Sequence, residues 1–290
     1  YQFYHGERYL AREDGLMKGS RDKGEEGQKL ILDALKDPFW HIRQLAIKKV
    51  AKLRDTNKDK GIEILKDLAV SDPKSSVRSS AVNALGKFLD DDDLVTLYKD
   101  RVGNDASYSV VTASLKNYGK LAPDDAIKMA ESLEGEKSSK MIAGIAQLYA
   151  ANGSAEKYAF LEEALTGNVV QGFEKLGVMN SFTMFVVGQE PEVIGRALNA
   201  YEQVSETGGF YMQMFLPQNL DYLVGQFSVK LNELEGELKK HEENNDAAYA
   251  DQTRKKITAY EDLKTQFNLL AQKLASEKEG TAVTISKEED

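Results

Sequence analysis

The chain has 290 residues, of which 41% are hydrophobic and 29% are charged, a composition typical of a soluble globular protein. No apolar run approaches the roughly 20 residues that a membrane-spanning helix needs, so no membrane span is predicted. The net charge of −9, without a basic stripe, argues against a nucleic-acid partner. The absence of cysteine excludes disulfides and thiolate chemistry.

The first 27 residues are predicted to form a lead-in helix followed by a polar connection. The chain begins at Tyr1, has its first methionine at Met17 and lacks the charged-then-apolar pattern of a signal peptide, so we interpret it as a segment of a longer protein. The apolar residues of this helix either cap the structure that follows or contact a preceding domain. They are Tyr1, Phe3, Tyr4, Tyr9, Leu10, Leu16 and Met17.

A sequence motif is repeated further along the chain. Asp-Pro occurs at residues 37–38 and again at 72–73, an offset of 35 residues, and an arginine follows at the same distance in each copy, as Arg43 and Arg78. A fixed period of this length is typical of stacked helical pairs. A degenerate third copy starts at Asp105, 33 residues after the second.

Each copy predicts a helix that buries one face. Proline fits the first turn of a helix, where its missing N–H needs no partner, and the aspartate can cap free N–H groups or favour the positive end of the helix dipole. Since one helical pair cannot bury such a face alone, we predict stacked repeats over residues 28–150. The apolar stripes are Ile42, Ala46, Ile47 and Val50 in the first copy and Val77, Ala81, Val82 and Leu85 in the second.

Two groups in this region suggest a function. Phe39, Trp40 and His41 stand at the head of a predicted helix, where they either anchor a binding partner or pack against the preceding turn. The acidic run Asp90–Asp93 consists of residues that bind metals, but it lacks the alternating pattern of a calcium loop. We interpret it as a helix start whose acids complement the helix dipole.

The rest of the chain divides into three predicted parts. Residues 151–218 are interpreted as divergent helical repeats, and the apolar run Phe210–Pro217 is predicted to be core, with a partner groove as the alternative. Residues 219–277 carry apolar residues at every third or fourth position on both sides of a polar link, which predicts a helical hairpin. Residues 278–290 are a polar tail that we predict to be disordered.

No pattern of a catalytic site occurs in the sequence. The three histidines, His5, His41 and His241, are too far apart for the H-E-x-x-H motif of zinc hydrolases. A Gly-x-Ser-x-Gly elbow and the glycine-rich phosphate loops are also absent. We therefore assign no catalytic or metal residue and predict that this chain holds no cofactor and is not an enzyme by itself.

The pattern D-P-x-x-x-V-R-x-x-A-x-x-A-L-G in the second copy resembles the second helix of a HEAT repeat. With the predicted hairpin, the resemblance implies an all-α fold: an α-α superhelix of the HEAT/ARM-like solenoid type, closed by a long C-terminal helical hairpin. In that family the Asp and the Arg form a ladder between neighbouring repeats, which implies this role for Asp37, Arg43, Asp72 and Arg78. Val111 stands where the third arginine is expected, so the ladder is predicted to end there.

The chain also resembles the C-terminal domain of bacterial zinc aminopeptidases related to aminopeptidase N, the gluzincin type. The resemblance rests on the lead-in Tyr4–Leu16, the repeat Asp37–Arg43 and the terminal helix Tyr260–Leu274. It implies that the zinc lies in a preceding peptidase domain of the same polypeptide, which this domain covers so that it limits the access of peptides. It also implies a location in the bacterial cell envelope or periplasm.

This hypothesis places a possible interface near the N-terminal end of the chain. Its residues are Tyr4, His5, Arg8, Phe39, Trp40 and His41. The alternative hypothesis is a HEAT-repeat scaffold that holds a protein partner on its concave face, without any link to a peptidase. An exposed apolar N-terminal end would favour the covering domain, whereas exposed aromatic and charged residues along the inner groove would favour the scaffold.

Overall fold

The computed structural model describes residues 8–88 and 92–285. Within these residues the chain contains fourteen α-helices, two short 3₁₀-helices and no β-strand, which confirms the predicted all-α fold. No helix in the described ranges is long and apolar enough to cross a membrane. The chain folds as two compact units, Tyr1–Glu136 and Lys137–Asp290. The predicted domain boundaries stay predictions.

The first unit is built from successive helical pairs. Its helices are α1 (Tyr9–Gly19), α2 (Glu25–Ala34), α3 (Trp40–Ile47), α4 (Asp55–Ser71), α5 (Ser75–Phe88), α6 (Asp92–Asn104), α7 (Tyr108–Leu121) and α8 (Pro123–Glu131), with a 3₁₀-helix at Val50–Lys52. The helices α1, α3, α5 and α7 lie side by side in one layer, and α2 packs on α4 behind them. All eight residues of the two predicted apolar stripes are buried, which confirms that prediction.

The aspartates of the repeats shape the entry into the second helix of each pair. Asp37 Oδ1 accepts the N–H of Phe39 at 2.8 Å, and Phe39 is extended with φ −90° and ψ 120°, so α3 begins only at Trp40. Asp72 accepts the N–H of Lys74 in the same way, at 2.8 Å. The prediction that the prolines occupy the first helical turn is therefore wrong, because this side chain–backbone turn delays the start of the helix.

The second unit consists of two layers of helices. Its helices are α9 (Ser139–Asn152), α10 (Tyr158–Thr166), α11 (Gly172–Val187), α12 (Pro191–Thr207), α13 (Gly209–Glu243) and α14 (Ala247–Ile285), with a 3₁₀-helix at Ala155–Lys157. The helices α9, α11 and α13 form one layer, and α10, α12 and α14 form the other. The chain runs along α11, returns along α12 in the other layer and then enters α13. The helices α11 and α13 therefore run in the same direction.

The predicted hairpin of residues 219–277 is formed by α13 and α14, which are longer than predicted. The helix α13 starts at Gly209, whose φ of +68° allows the sharp change of direction after α12, and it continues through Pro217. The helix α14 extends to Ile285, so the prediction of a disordered tail is wrong for residues 278–285; residues 286–290 lie outside the described residues.

A chain of aromatic rings ties the two layers of the second unit together. Consecutive ring centroids are 5.4–6.1 Å apart, within the range in which tilted and edge-to-face pairs stabilise a core. In order of contact the rings are Tyr158 of α10, Phe182 of α11, Tyr201 of α12, Phe267 of α14, Phe227 of α13 and Tyr260 of α14. Every helix of the unit except α9 contributes a ring, so this core holds α11 and α13 in a fixed relation.

Candidate protein-interaction surface

A ladder of Arg–Asp pairs runs through the layer of α1, α3, α5 and α7. The structure brings Arg43 against Asp72, with Nε–Oδ2 and Nη2–Oδ1 distances of 2.6 and 2.8 Å. Arg78 forms the equivalent pair with Asp105, at 2.8 and 2.9 Å. Each arginine thus donates two parallel hydrogen bonds to the carboxylate of the next repeat. This bidentate arrangement is the strongest geometry for an arginine–carboxylate pair.

The same arginines also hold the turn of their own repeat. Nη1 of Arg43 donates to the carbonyl oxygens of Asp37 and Pro38 at 2.8 and 3.0 Å, and Nη1 of Arg78 donates to the carbonyl of Asp72 at 2.7 Å. One guanidinium therefore connects the backbone of one repeat to the carboxylate of the next. The ladder therefore links neighbouring repeats through charged hydrogen bonds.

Sequence reasoning missed the first rung of the ladder. Arg12 of α1 donates from Nε to Asp37 Oδ2 at 2.8 Å, although no Asp-Pro motif precedes it. The available signal was the spacing between each arginine and the aspartate it binds, which is 25, 29 and 27 residues in the three rungs. At the other end, Asp105 binds Arg78 and lies 3.6 Å from Arg101 of α6.

The last rung of the ladder joins a buried carboxylate, that of Asp105, to Arg78. The side chain of Asp105 is only 2% exposed. Burial alone would raise the pKa of Asp105, but the hydrogen bonds from Arg78 and the Ser107 N–H, with the charges of Arg78 and Arg101, lower its pKa below the ordinary value. The hydrogen bond to Asp105 correspondingly raises the pKa of Arg78.

Replacing Asp105 with asparagine is expected to destabilise the first unit by about 1–3 kcal/mol at neutral pH. Because the pKa of Asp105 is lower in the folded protein than in the unfolded chain, its contribution is complete above an unfolded pKa of about 3.9 and is lost as the pH falls through the folded value. Urea unfolding of both proteins from pH 7 to pH 3, followed by the fluorescence of Trp40, should show a stability difference that shrinks only below about pH 4. A difference that stays constant down to pH 3 would contradict this account.

The predicted interface residues of the first unit are only partly described. Phe39, Trp40 and His41 form one group, with ring centroids 5.5–6.1 Å apart, and Tyr9 of α1 lies 4.9 Å from Phe39. The side chains of Phe39, Trp40 and His41 are half-buried. The ammonium of Lys74 lies 5.3 Å from the Trp40 ring. This packing between neighbouring helices favours the structural interpretation of the group, while its role as an interface stays a prediction.

The remaining predicted residues near this end are placed as follows. Arg8 is exposed immediately before α1, whereas Tyr4 and His5 lie outside the described residues. Residues 90 and 91 of the acidic run also lie outside them, and α6 begins at Asp92. Within the described ranges no group of three potential metal-binding side chains comes together. On α1 itself, Leu16 is buried, while Tyr9, Leu10 and Met17 are exposed by 45%, 61% and 39%.

The two most exposed large apolar side chains of the described residues lie on α11 and α13 of the second unit. Phe173 and Phe210 are exposed by 78% and 72%, and four further large side chains accompany them. We call this set the α11–α13 surface; it comprises Phe173, Met184, Phe210, Tyr211, Met214 and Tyr222. Exposed apolar patches of this kind mark interaction sites more often than single exposed residues do.

Two contacts join the helices across this surface. The rings of Phe173 and Tyr211 are 5.8 Å apart, and the Tyr222 hydroxyl donates to Met184 Sδ at 3.7 Å. Eleven residues separate the two contacts on each helix, which corresponds to three turns, or about 16 Å. Between them Gly177 faces open space, since a Cβ atom there would meet no other atom within 4 Å. The surface is therefore an elongated strip along the two helices.

The structure corrects the prediction that Phe210–Pro217 is core. Met212 and Leu216 are buried, but Phe210, Tyr211 and Met214 are exposed, so the prediction is wrong for these three residues. The reason is that α13 runs through Pro217 without a break, and helical periodicity sends a continuous apolar run to two opposite faces. The alternative of a partner surface thereby gains support.

The comparisons with known proteins concern the first unit. Residues 28–119 match the family model that describes HEAT repeats. No curated protein matches the chain. The matched residues contain the rungs from Arg43 to Asp72 and from Arg78 to Asp105, and the α11–α13 surface lies outside them. The chain is therefore an all-α helical-repeat protein whose residues 28–119 match the HEAT repeats.

Proposed function

We propose that the chain is a non-catalytic helical-repeat scaffold that binds another protein through the α11–α13 surface. The single observation that carries the proposal is the exposure of six large aromatic and methionine side chains on two neighbouring parallel helices. Aromatic residues and methionine are enriched where proteins bind each other, and a few such side chains supply most of the binding free energy.

The packing of α11 and α13 on the side opposite the surface supports this function. The opposite faces of α11 and α13 are fixed by the aromatic core, and a polar cluster adds to it: Thr183 Oγ1 lies 2.8 Å from the Tyr201 hydroxyl and donates to Asn219 Oδ1 at 2.9 Å. A partner would therefore meet two helices whose positions are already set by the core of the unit. Less conformational entropy is lost on binding to a surface of this kind.

The test is the affinity of a purified partner for surface variants. A protein that is recovered with the intact chain from the source organism and then purified is expected to bind the variant Phe173→Ser/Phe210→Ser at least about tenfold more weakly than the original chain. Both side chains are mostly exposed, so the variant should keep its circular dichroism spectrum and unfolding midpoint. The matched control is Tyr9→Ser/Leu10→Ser, which removes exposed apolar residues from α1 and should leave this affinity unchanged. Equal affinity of all three proteins would refute the proposal.

A second candidate function is supported by the exposed side of α1. If the chain is the C-terminal covering domain of a zinc aminopeptidase, a preceding peptidase domain would contact Tyr9, Leu10 and Met17, and the domain would limit the access of peptides to the zinc site. Leu10 and Met17 are seven residues apart, so both lie on one side of the helix, as a docking surface requires.

The same two variants distinguish the candidates. In the protein encoded by the complete gene, the covering domain requires an H-E-x-x-H motif upstream and chelator-sensitive cleavage of an aminoacyl-anilide. Tyr9→Ser/Leu10→Ser should then alter the preference for short over long peptides, whereas Phe173→Ser/Phe210→Ser should not. If the gene encodes no such motif, the covering-domain hypothesis is wrong.

A further inference from the structure

The charged residues around the α11–α13 surface are mostly acidic. Residues 170–229 contain six carboxylates and two basic residues, and one of the six, Glu190, pairs with Lys256 of α14 at 3.0 Å. Both basic groups are engaged within the unit: Lys175 Nζ donates to the Gly167 carbonyl at 2.8 Å, and the Arg196 guanidinium lies 4.1 Å from the Tyr158 ring. The carboxylates of Glu202, Glu206 and Asp221, in contrast, are exposed.

One of these carboxylates, Asp221, lies within the apolar strip, and a second, Glu206, lies near the turn that leads into α13. Asp221 directly precedes Tyr222 and lies two helical turns after Met214, on the same side of α13. Gln213 Nε2 donates to the Ser205 carbonyl at 3.3 Å, which holds the end of α12 against the start of α13. Glu206 is exposed near the end of α12 and precedes Phe210 by four residues, at the junction of α12 and α13. The strip presents apolar side chains with negative charge at its edge.

The dimensions of the strip fit a helix. Its two ends, the Phe173–Tyr211 pair and the Met184–Tyr222 pair, are about 16 Å apart, the length of a helix of three turns. Such a helix places apolar residues at intervals of three and four positions on one face, which matches anchors at both ends. Methionines at both edges can adjust to the shape of different side chains.

We infer that the α11–α13 surface binds an amphipathic helix that carries lysine or arginine residues beside its apolar face. The inference rests on the proposed function and names its class of partner. A second copy of the chain is a poor occupant, because the same carboxylates would face each other and each copy carries a net charge of −9. A basic amphipathic helix would cover the apolar side chains and would place positive charge beside the exposed carboxylates.

Labelled peptides with a common apolar face test the inference. A peptide of about 18 residues with leucine at helical spacing and lysine on the flanks is compared with one in which every lysine is glutamine and with one in which every lysine is glutamate. Fluorescence anisotropy at physiological salt should show the lysine peptide binding at least tenfold more tightly than the glutamine peptide, and the glutamate peptide more weakly still. The variant Glu206→Gln/Asp221→Asn should lose about threefold to tenfold in affinity for the lysine peptide alone.

Three results would overturn the inference and leave the proposed function standing. The first is equal binding of the lysine and glutamine peptides. The second is lysine-peptide binding that is unchanged in Phe173→Ser/Phe210→Ser, which would indicate adsorption elsewhere on an acidic protein. Self-association that this double variant abolishes would also overturn it, in favour of a second copy. The proposed function itself fails only if the affinity for a purified natural partner is insensitive to the double variant.

Discussion

Replacing Arg43 with alanine is expected to lower the free energy of unfolding of the first unit by about 3–5 kcal/mol. The substitution leaves the carboxylate of Asp72, whose side chain is 1% exposed, without its two charged hydrogen bonds. It also removes the donor to the carbonyls of Asp37 and Pro38. Breaking a buried ion pair costs far more than its net contribution, because the remaining charge stays buried and unpaired.

Urea unfolding monitored by tryptophan fluorescence measures this effect in the relevant unit, since Trp40 is the only tryptophan of the chain and lies in α3. The matched control is Lys18→Ala, which breaks an exposed pair with Asp14 at 2.8 Å and should cost at most about 0.5 kcal/mol. In the double-mutant cycle of Arg43→Met with Asp72→Asn, we expect strong coupling between the two sites. A cost for Arg43→Ala as small as that of the control would show that the ladder does not stabilise the stack.

Replacing Gly86 with alanine is expected to destabilise the first unit by about 1–3 kcal/mol, although alanine favours helices. A Cβ atom at this position would overlap the side-chain amide of Asn117 on α7. That amide cannot move freely, because Asn117 is buried and its Nδ2 donates to the Ala113 carbonyl at 2.8 Å. The helices α5 and α7 would have to separate, or the hydrogen bond would be lost.

Gly103 in α6 provides the matched control for this substitution. A Cβ atom there would meet no other atom within 4 Å, so Gly103→Ala should stabilise the unit by about 0.5–1 kcal/mol through helix propensity alone. The same fluorescence-monitored unfolding measures both variants. Stabilisation by alanine at both positions would contradict the close approach of α5 and α7 at Gly86.

The outcome for the repeats shows which signals a sequence carries reliably. The two buried stripes were predictable because each follows from periodicity within one helix. The Asp–Arg motif likewise recurs at a fixed spacing and led to the HEAT resemblance. The start of α3 was not predictable in the same way, because both the proline rule and the aspartate turn apply to Asp37-Pro38 and the turn prevails.

The exposure of the α11–α13 surface could not be predicted from local sequence patterns. Phe210, Tyr211 and Met214 belong to an apolar run that also contains Met212 and Leu216, and composition alone favours a buried segment. Which of them face solvent depends on where α13 begins, on its passage through Pro217, and on which neighbours cover it. For this reason the sequence predicts a buried core at this run, with a partner surface as the alternative.

By itself the sequence determined the all-α class, the period of the repeats, the residues of their buried faces and the long hairpin, since each of these depends on residues close together in the chain. The tertiary structure alone decided that Arg12 forms the first rung of the ladder, because its partner Asp37 is 25 residues away and no local motif marks it. It also decided which apolar side chains remain exposed on α11 and α13. Exposure is a property of the packed helices, because it depends on the neighbours that each face does or does not have.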